Sequence, residues 1–305
     1  MIVLALVAFA VAFTVAVARR LPGARWVYRS PRLGIAAWYT VLATGPVVAG
    51  AVVAEVLLPW HGDPDALYGG IVDERHGLLG WSAARFVTSA AVLVVAAAVL
   101  HAIRGAGAIA RDRRRHREIL RLAGHRSGGP GVTVIEDPRP AAYLAPGRPR
   151  RVVVTSGAVH RLHADELAAV VAHERAHATG RHQILLDIAH IAARTLPHWP
   201  LTSTAASQIG RLVEMRADEV AARTHPPLHL ARAIVAMAAA PTGLLSAAGG
   251  DTVERLHRLM RPPERLSRAG NAAITASIPL LPVVPLALAA LCRWWPGLSA
   301  CLWDL

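Results

Sequence analysis

Charge is scarce in this sequence: 17% of its 305 residues are charged, against roughly 25% in an average soluble domain, while 54% are hydrophobic. A mean hydropathy of +0.38 excludes a disordered chain and argues against a wholly soluble one. Cysteine is nearly missing. Cys292 and Cys301 are the only two, which excludes a disulfide-stapled small domain, and no Cys-x-x-Cys pair offers a thiolate metal site. Lysine does not occur at all, so the basic residues are arginines, and they give a net charge of +13. Such an excess can mark nucleic-acid binding, but these arginines gather beside apolar runs and no nucleic-acid motif accompanies them. No direct nucleic-acid partner is expected. Internal repeats and low-complexity tracts are absent too.

What the sequence has in quantity is long apolar runs. Four segments approach the 20 or so residues a bilayer requires: 1–18, 33–58, 86–103 and 272–291. The first resembles a secretory signal in length, but Arg19 and Arg20 follow its apolar stretch instead of preceding it, so an uncleaved helix is expected. Pro46 in the second and Pro279, Pro282 and Pro285 in the fourth predict kinks. Arginine placement sets the orientation, because cytoplasmic loops carry the positive excess. Arg19, Arg20, Arg25, Arg29 and Arg32 lie between the first two spans, whereas Asp63, Asp65, Asp73 and Glu74 outnumber Arg75 between the next two. A further run, Arg111, Arg113, Arg114, Arg115 and Arg117, follows the third span and reads as its cytoplasmic anchor. Both termini are then exterior, with Trp294 and Trp295 at an interfacial belt. Glu55 reads as a residue near the outer end of its helix.

Residues 104–270 remain for a cytoplasmic domain with a core of its own. Short β-branched runs near 132–136, 141–145 and 151–155 predict strands. Helical text follows near 165–179, 184–194, 205–223, 228–240 and 252–260, an α+β order. The first of these helices contains His173, Glu174, Arg175, Ala176 and His177, an H-E-x-x-H pattern. Two histidines four residues apart share a helical face, so both imidazoles can reach one zinc ion while Glu174 projects toward a water on the open side. A third ligand is needed. The H-x-x-G-x-x-H continuation fails, because position 183 is Gln183 and His182 falls one place short. Glu214 is the better candidate. It shares a helical face with Asp218 at i, i+4, so one carboxylate can bind metal while the other accepts the free ring N–H of a ligating histidine.

The stretch 152–182, V-V-V-T-S-G-A-V-H-R-L-H-A-D-E-L-A-A-V-V-A-H-E-R-A-H-A-T-G-R-H, together with E-M-R-A-D from Glu214, resembles the gluzincin core of integral-membrane zinc metallopeptidases. That core is shared by the heat-shock and CAAX prenyl-protein membrane proteases and by the BlaR/MecR-type signal-transducing peptidases. Three spans, a zincin domain and one more span resemble the BlaR/MecR order of parts. The resemblance implies His173, His177 and Glu214 as ligands of one zinc per chain, Glu174 as general base, and Asp218 as the carboxylate supporting a ligand. Residues 261–266 resemble in part a downstream H-P-x-x-E-R-I element, and His182 stands where an aspartate is common. BlaR-type sensors continue into an exterior penicillin-binding domain; here about a dozen residues follow the last span, so covalent β-lactam sensing is not expected.

The sequence therefore predicts an α+β membrane protein, four transmembrane helices with a mostly helical zincin-type metalloprotease domain carrying a small β-sheet. The expected activity is zinc-dependent hydrolysis of peptide bonds in a cytoplasmic protein, a transcriptional repressor or the enzyme itself, at a bacterial cell membrane. The alternative is a catalytically silent zinc-containing scaffold or receptor, for which Glu174 would have no use.

Overall fold

A computed structural model of the chain describes residues 19–57, 77–122, 125–147, 149–197, 199–238 and 249–280, with scattered positions within 8–17 and 283–290. Helices come first: α1 (Arg25–Arg29), α2 (Pro31–Leu57) and α3 (Gly77–Leu122). A sheet follows, from β1 (His125–Ser127), β2 (Val132–Ile135), β3 (Ala142–Ala145) and β4 (Arg151–Thr155). The rest is helical: α4 (Ser156–Arg161), α5 (Ala164–Thr179), α6 (His182–Thr195), α7 (Pro200–Ala221), α8 (Pro227–Ala238), α9 (Gly249–Met260) and α10 (Arg268–Ser277).

The sheet order is β1-β2-β4-β3, with β2 and β4 parallel and the outer pairs antiparallel. Val152, Val153 and Val154 are buried in β4, and Val152 and Val154 pack with Ala158 against Leu167 and Val171 of α5. Branched valines suit this pleated, covered position. Strand β3 is left at the edge. The Thr155 N–H donates to the Ala141 carbonyl at 3.0 Å, and antiparallel pairing alternates. Tyr143 therefore faces β4, while Ala142 and Leu144 turn their N–H and C=O groups to the free side.

Helix α5 is fixed at both ends. The His163 N–H donates to Glu166 Oε2 at 3.0 Å, part of a capping box, and Asp165 and Glu166 set negative charge against the positive helix end. Gly180 and Arg181 then turn the chain within two residues, Arg181 adopting the left-handed region at φ 50°. Helix α6 begins at once, and its first residue folds back on α5. Along its length α5 buries Ala169 and Val170 with Ala221 of α7, Ala233 and Ile234 of α8, and Leu259 of α9.

The largest core joins parts far apart in sequence. Ile35, Trp38 and Val41 of α2 pack with Val27, Ala189, Ile209, Leu212 and Met215. Each fully buried side chain of this size contributes about 1.5–3 kcal/mol. Gly34 makes the approach possible: a Cβ there would stand 2.7 Å from Val27 Cγ1 and 3.0 Å from Leu212 Cδ1. The first half of the segment read as the second span is thus built into the same core as α7.

Among the described residues two helices are long and apolar enough to cross a membrane, Pro31–Ala51 within α2 and Val92–Arg121 within α3. Much of 1–18 and 281–291 lies outside the described residues, and α10 spans only ten residues, so two of the four expected spans have no described counterpart. On α3, Leu93, Val94, Val99, Leu100 and Ile103 are exposed. The helix continues without a break from this apolar stretch into the arginine run. Helices start earlier than expected, α7 at Pro200, where proline is tolerated in a first turn, although α7 ends at Ala221, short of the expected 223; strand β1 had no sequence signal.

Candidate metal centre

Helix α5 carries His173 and His177 on one face, and their Nε2 atoms stand 3.0 Å apart. Helix α7 crosses α5 and brings in Glu214: its Oε2 lies 3.4 Å from His173 Nε2 and its Oε1 3.4 Å from His177 Nε2. Ligand atoms held about 2.0–2.1 Å from a tetrahedral zinc ion are about 3.3 Å from one another. The two imidazole nitrogens lie near that spacing, each oxygen of the Glu214 carboxylate lies near it from one imidazole, and all three groups have zinc-binding chemistry, so they fit the ion.

Behind them sits Asp218, one turn beyond Glu214 and almost fully buried. Its Oδ1 lies 2.9 Å from His173 Nδ1. A proton on Nδ1 leaves the Nε2 lone pair free for a metal, which is how a carboxylate fixes a ligand's tautomer. His182 stands in the same relation to His177, Nδ1 to Nδ1 at 3.1 Å, and is itself buried. It contacts His177 from behind and does not join the group formed by His173, His177 and Glu214. Gly180 makes room for it, since a Cβ at that position would lie 2.2 Å from His182 Nε2.

Arg255 of α9 completes the site and was not singled out from the sequence. It donates from Nε to Asp218 Oδ2 and from Nη2 to Asp218 Oδ1, both at 2.8 Å, and its Nη1 is 3.0 Å from Glu214 Oε2. Thirty-seven residues separate Arg255 from Asp218, so no local spacing could reveal the pair. Neighbouring ion pairs hold α9 in place: Arg211 with Asp251 and Glu254, and Arg258 with Glu219. Residues 261–266, the stretch compared with the downstream element, lie beyond α9, where Glu264 meets Arg29 at 4.0 Å.

The electrostatics follow from burial and these contacts. Burial works against charge on Glu214, but the hydrogen bond to His173 and the charge of Arg255 outweigh it and hold its carboxyl down at about 2. Asp218 is likewise lowered against burial by Arg255 and His173. Burial disfavours the His173 cation too, yet Asp218 and Glu214 raise it to about 9. His177 goes the other way, pushed down to about 4 chiefly by burial. Burial pushes Glu174 up to about 7, the charge of Glu214 adds to this, and His173, Arg255 and a backbone hydrogen bond at Leu144 oppose it. A carboxyl poised near neutrality can both take and give a proton.

The sequence profile of Peptidase family M48 matches residues 109–263, a range that holds the sheet and all the side chains of this site. No curated protein and no solved structure matches the chain.

Proposed function

The chain belongs to peptidase family M48, and from that premise we propose that it is a membrane-embedded, zinc-dependent endopeptidase that cuts a cytoplasmic protein. One observation carries the reading. Two histidine nitrogens 3.0 Å apart each face one oxygen of the Glu214 carboxylate at 3.4 Å, with the half-buried Glu174 adjacent in sequence. His173, His177 and Glu214 hold the metal, and Asp218 and His182 orient the two imidazoles. A zinc ion bound there supplies Lewis acidity, acidifying water and polarising a carbonyl.

Glu174 takes the proton from the attacking water and returns it to the departing amine. Ala142 and the Leu144 carbonyl on the free edge of β3 offer backbone groups to an extended substrate, as in strand addition. The carbonyl to be cut would then lie beside Glu174, which Leu144 already touches through its backbone.

The membrane part rests chiefly on α3, whose apolar face is uncovered, and on the second half of α2, the first half being packed in the core with α7. With arginines flanking these helices on one side, the catalytic domain is cytoplasmic. The spans and domain read from the sequence resemble the BlaR/MecR order of parts, which makes a repressor or the chain itself the substrate to examine first. A silent scaffold would have no use for a carboxyl held near neutrality beside the metal ligands.

The test uses the full-length protein purified in detergent. It should contain one zinc per chain by elemental mass spectrometry and cleave an unfolded protein such as casein; chelation should stop cleavage and zinc should restore it. Zinc-free protein that cleaves at the same rate would overturn the reading.

A further inference from the structure

Helices α3 and α6 run antiparallel, Gly105 opposite Ile191 and Arg113 opposite Asp187. Between them lies a groove of about 400 Å³. Its floor is apolar at one end, Ala106, Ile109, Ala110 and Ile191, and its other end is lined by Arg113, Arg114 and Arg117 with Asp187. Asp187 pairs with Arg113. Arg117 gives only its Nε, to the Arg113 carbonyl at 3.3 Å, and Arg114 is exposed with no carboxylate partner among the described residues. Three arginines against one carboxylate leave two positive charges at this end.

The polarity of the groove has a direction. Its apolar end continues into the exposed Val99, Leu100 and Ile103 of α3, and its charged end points toward the sheet domain. An anionic phospholipid has that same sequence of parts, acyl chains and then a phosphate. Guanidinium forks match phosphate oxygens in pairs, and basic pockets beside membrane helices on the cytoplasmic side suit anionic headgroups.

We propose that this groove binds one anionic phospholipid, with its phosphate on Arg114 and Arg117 and an acyl chain along Ala106, Ile109, Ala110 and Ile191. The proposal rests on the membrane reading above and is independent of the cleavage chemistry. The ligand would sit on α6, the helix whose first residue, His182, touches His177.

The test compares full-length wild type with two double variants in nanodiscs of phosphatidylcholine containing phosphatidylglycerol. R114A/R117A removes the charges that line the groove; R111A/R115A removes as many exposed charges from the same helix outside it. After stepwise delipidation, native mass spectrometry counts the lipid retained. Wild type and R111A/R115A should keep phosphatidylglycerol over phosphatidylcholine, and R114A/R117A should lose that preference by about tenfold or more. Equal losses in the two variants would show non-specific attraction and overturn the site, as would a wild type that retains no anionic lipid. Flotation with phosphatidylcholine vesicles separates the readings. A chain that floats but keeps no phosphatidylglycerol refutes the site alone, and one that does not float refutes the membrane reading as well.

Discussion

Arg255 grips Asp218 through two parallel hydrogen bonds of 2.8 Å and touches Glu214 at 3.0 Å with its remaining nitrogen. One guanidinium thus fixes a proposed metal ligand and the carboxylate that orients another. Removing it strands two carboxylates in a buried site. Arg255→Ala should weaken zinc binding about 10–100-fold and lower stability by about 3–5 kcal/mol, the usual cost of breaking a buried ion pair from one side. Arg255→Lys, which keeps the charge and loses the fork, should fall between. Chelator competition and urea denaturation read the two effects. Wild-type zinc affinity in Arg255→Ala would contradict this role.

Gly180 matters for the space it leaves. Its backbone is ordinary right-handed helix at φ −75°, but an added Cβ would stand 2.2 Å from His182 Nε2. Gly180→Ala should push His182 off His177 and weaken zinc binding by about tenfold, the low end of the effect of losing a ligand's support. Gly210 is the contrast, with only Leu186 Cδ2 at 3.9 Å from an added Cβ. Gly210→Ala should leave zinc affinity unchanged and stabilise α7 by up to about 1 kcal/mol. Equal zinc affinities in the two variants would refute the argument.

Glu174 should leave a pH signature in metal-free protein. Its folded value of about 7 lies above the ordinary 4.5. Between those values the folded chain keeps a proton that the unfolded chain has lost. Stability from this group is therefore full below pH 4.5 and falls as pH rises through 7. Glu214 and His177, lowered to about 2 and about 4, act in the opposite sense and lose their contribution as pH falls. Denaturation in the presence of chelator at pH 5, 6 and 7 should show wild type losing stability relative to Glu174→Gln as pH rises. Parallel curves would mean the carboxyl is not held near neutrality.

Gly34→Ala tests whether α2 belongs to the catalytic core. The new methyl meets Val27 and Leu212 at 2.7 and 3.0 Å, so overpacking should cost about 1–3 kcal/mol. Gly45, with nothing within 4 Å of an added Cβ, should accept alanine without loss. Thermal unfolding in detergent reads both. Equal melting temperatures would detach α2 from that core.

What the sequence made legible was local. His173 and His177 share a face by helical periodicity alone, and Glu214 and Asp218 do so on the next long helix but one. The tetrahedral spacing of the donors could not be read, because it depends on how α7 crosses α5. Arg255 was invisible for the same reason, its partners being adjacent in space but two helices and dozens of residues away along the chain. His182 was half legible: its nearness to His177 follows from the short Gly180–Arg181 turn, but its direction depends on the left-handed Arg181. For α2, an apolar stretch looks the same whether lipid or α7 covers it, and only packing distinguishes the two.

The central claim is that Glu174 acts as the base of a zinc peptidase. Its most direct test compares new protein amino termini, by mass spectrometry, in cells producing wild type or Glu174→Gln, with zinc content measured on both purified proteins. We expect termini that appear only with wild type, and one zinc per chain in each protein. The same termini appearing with zinc-loaded Glu174→Gln would contradict the account.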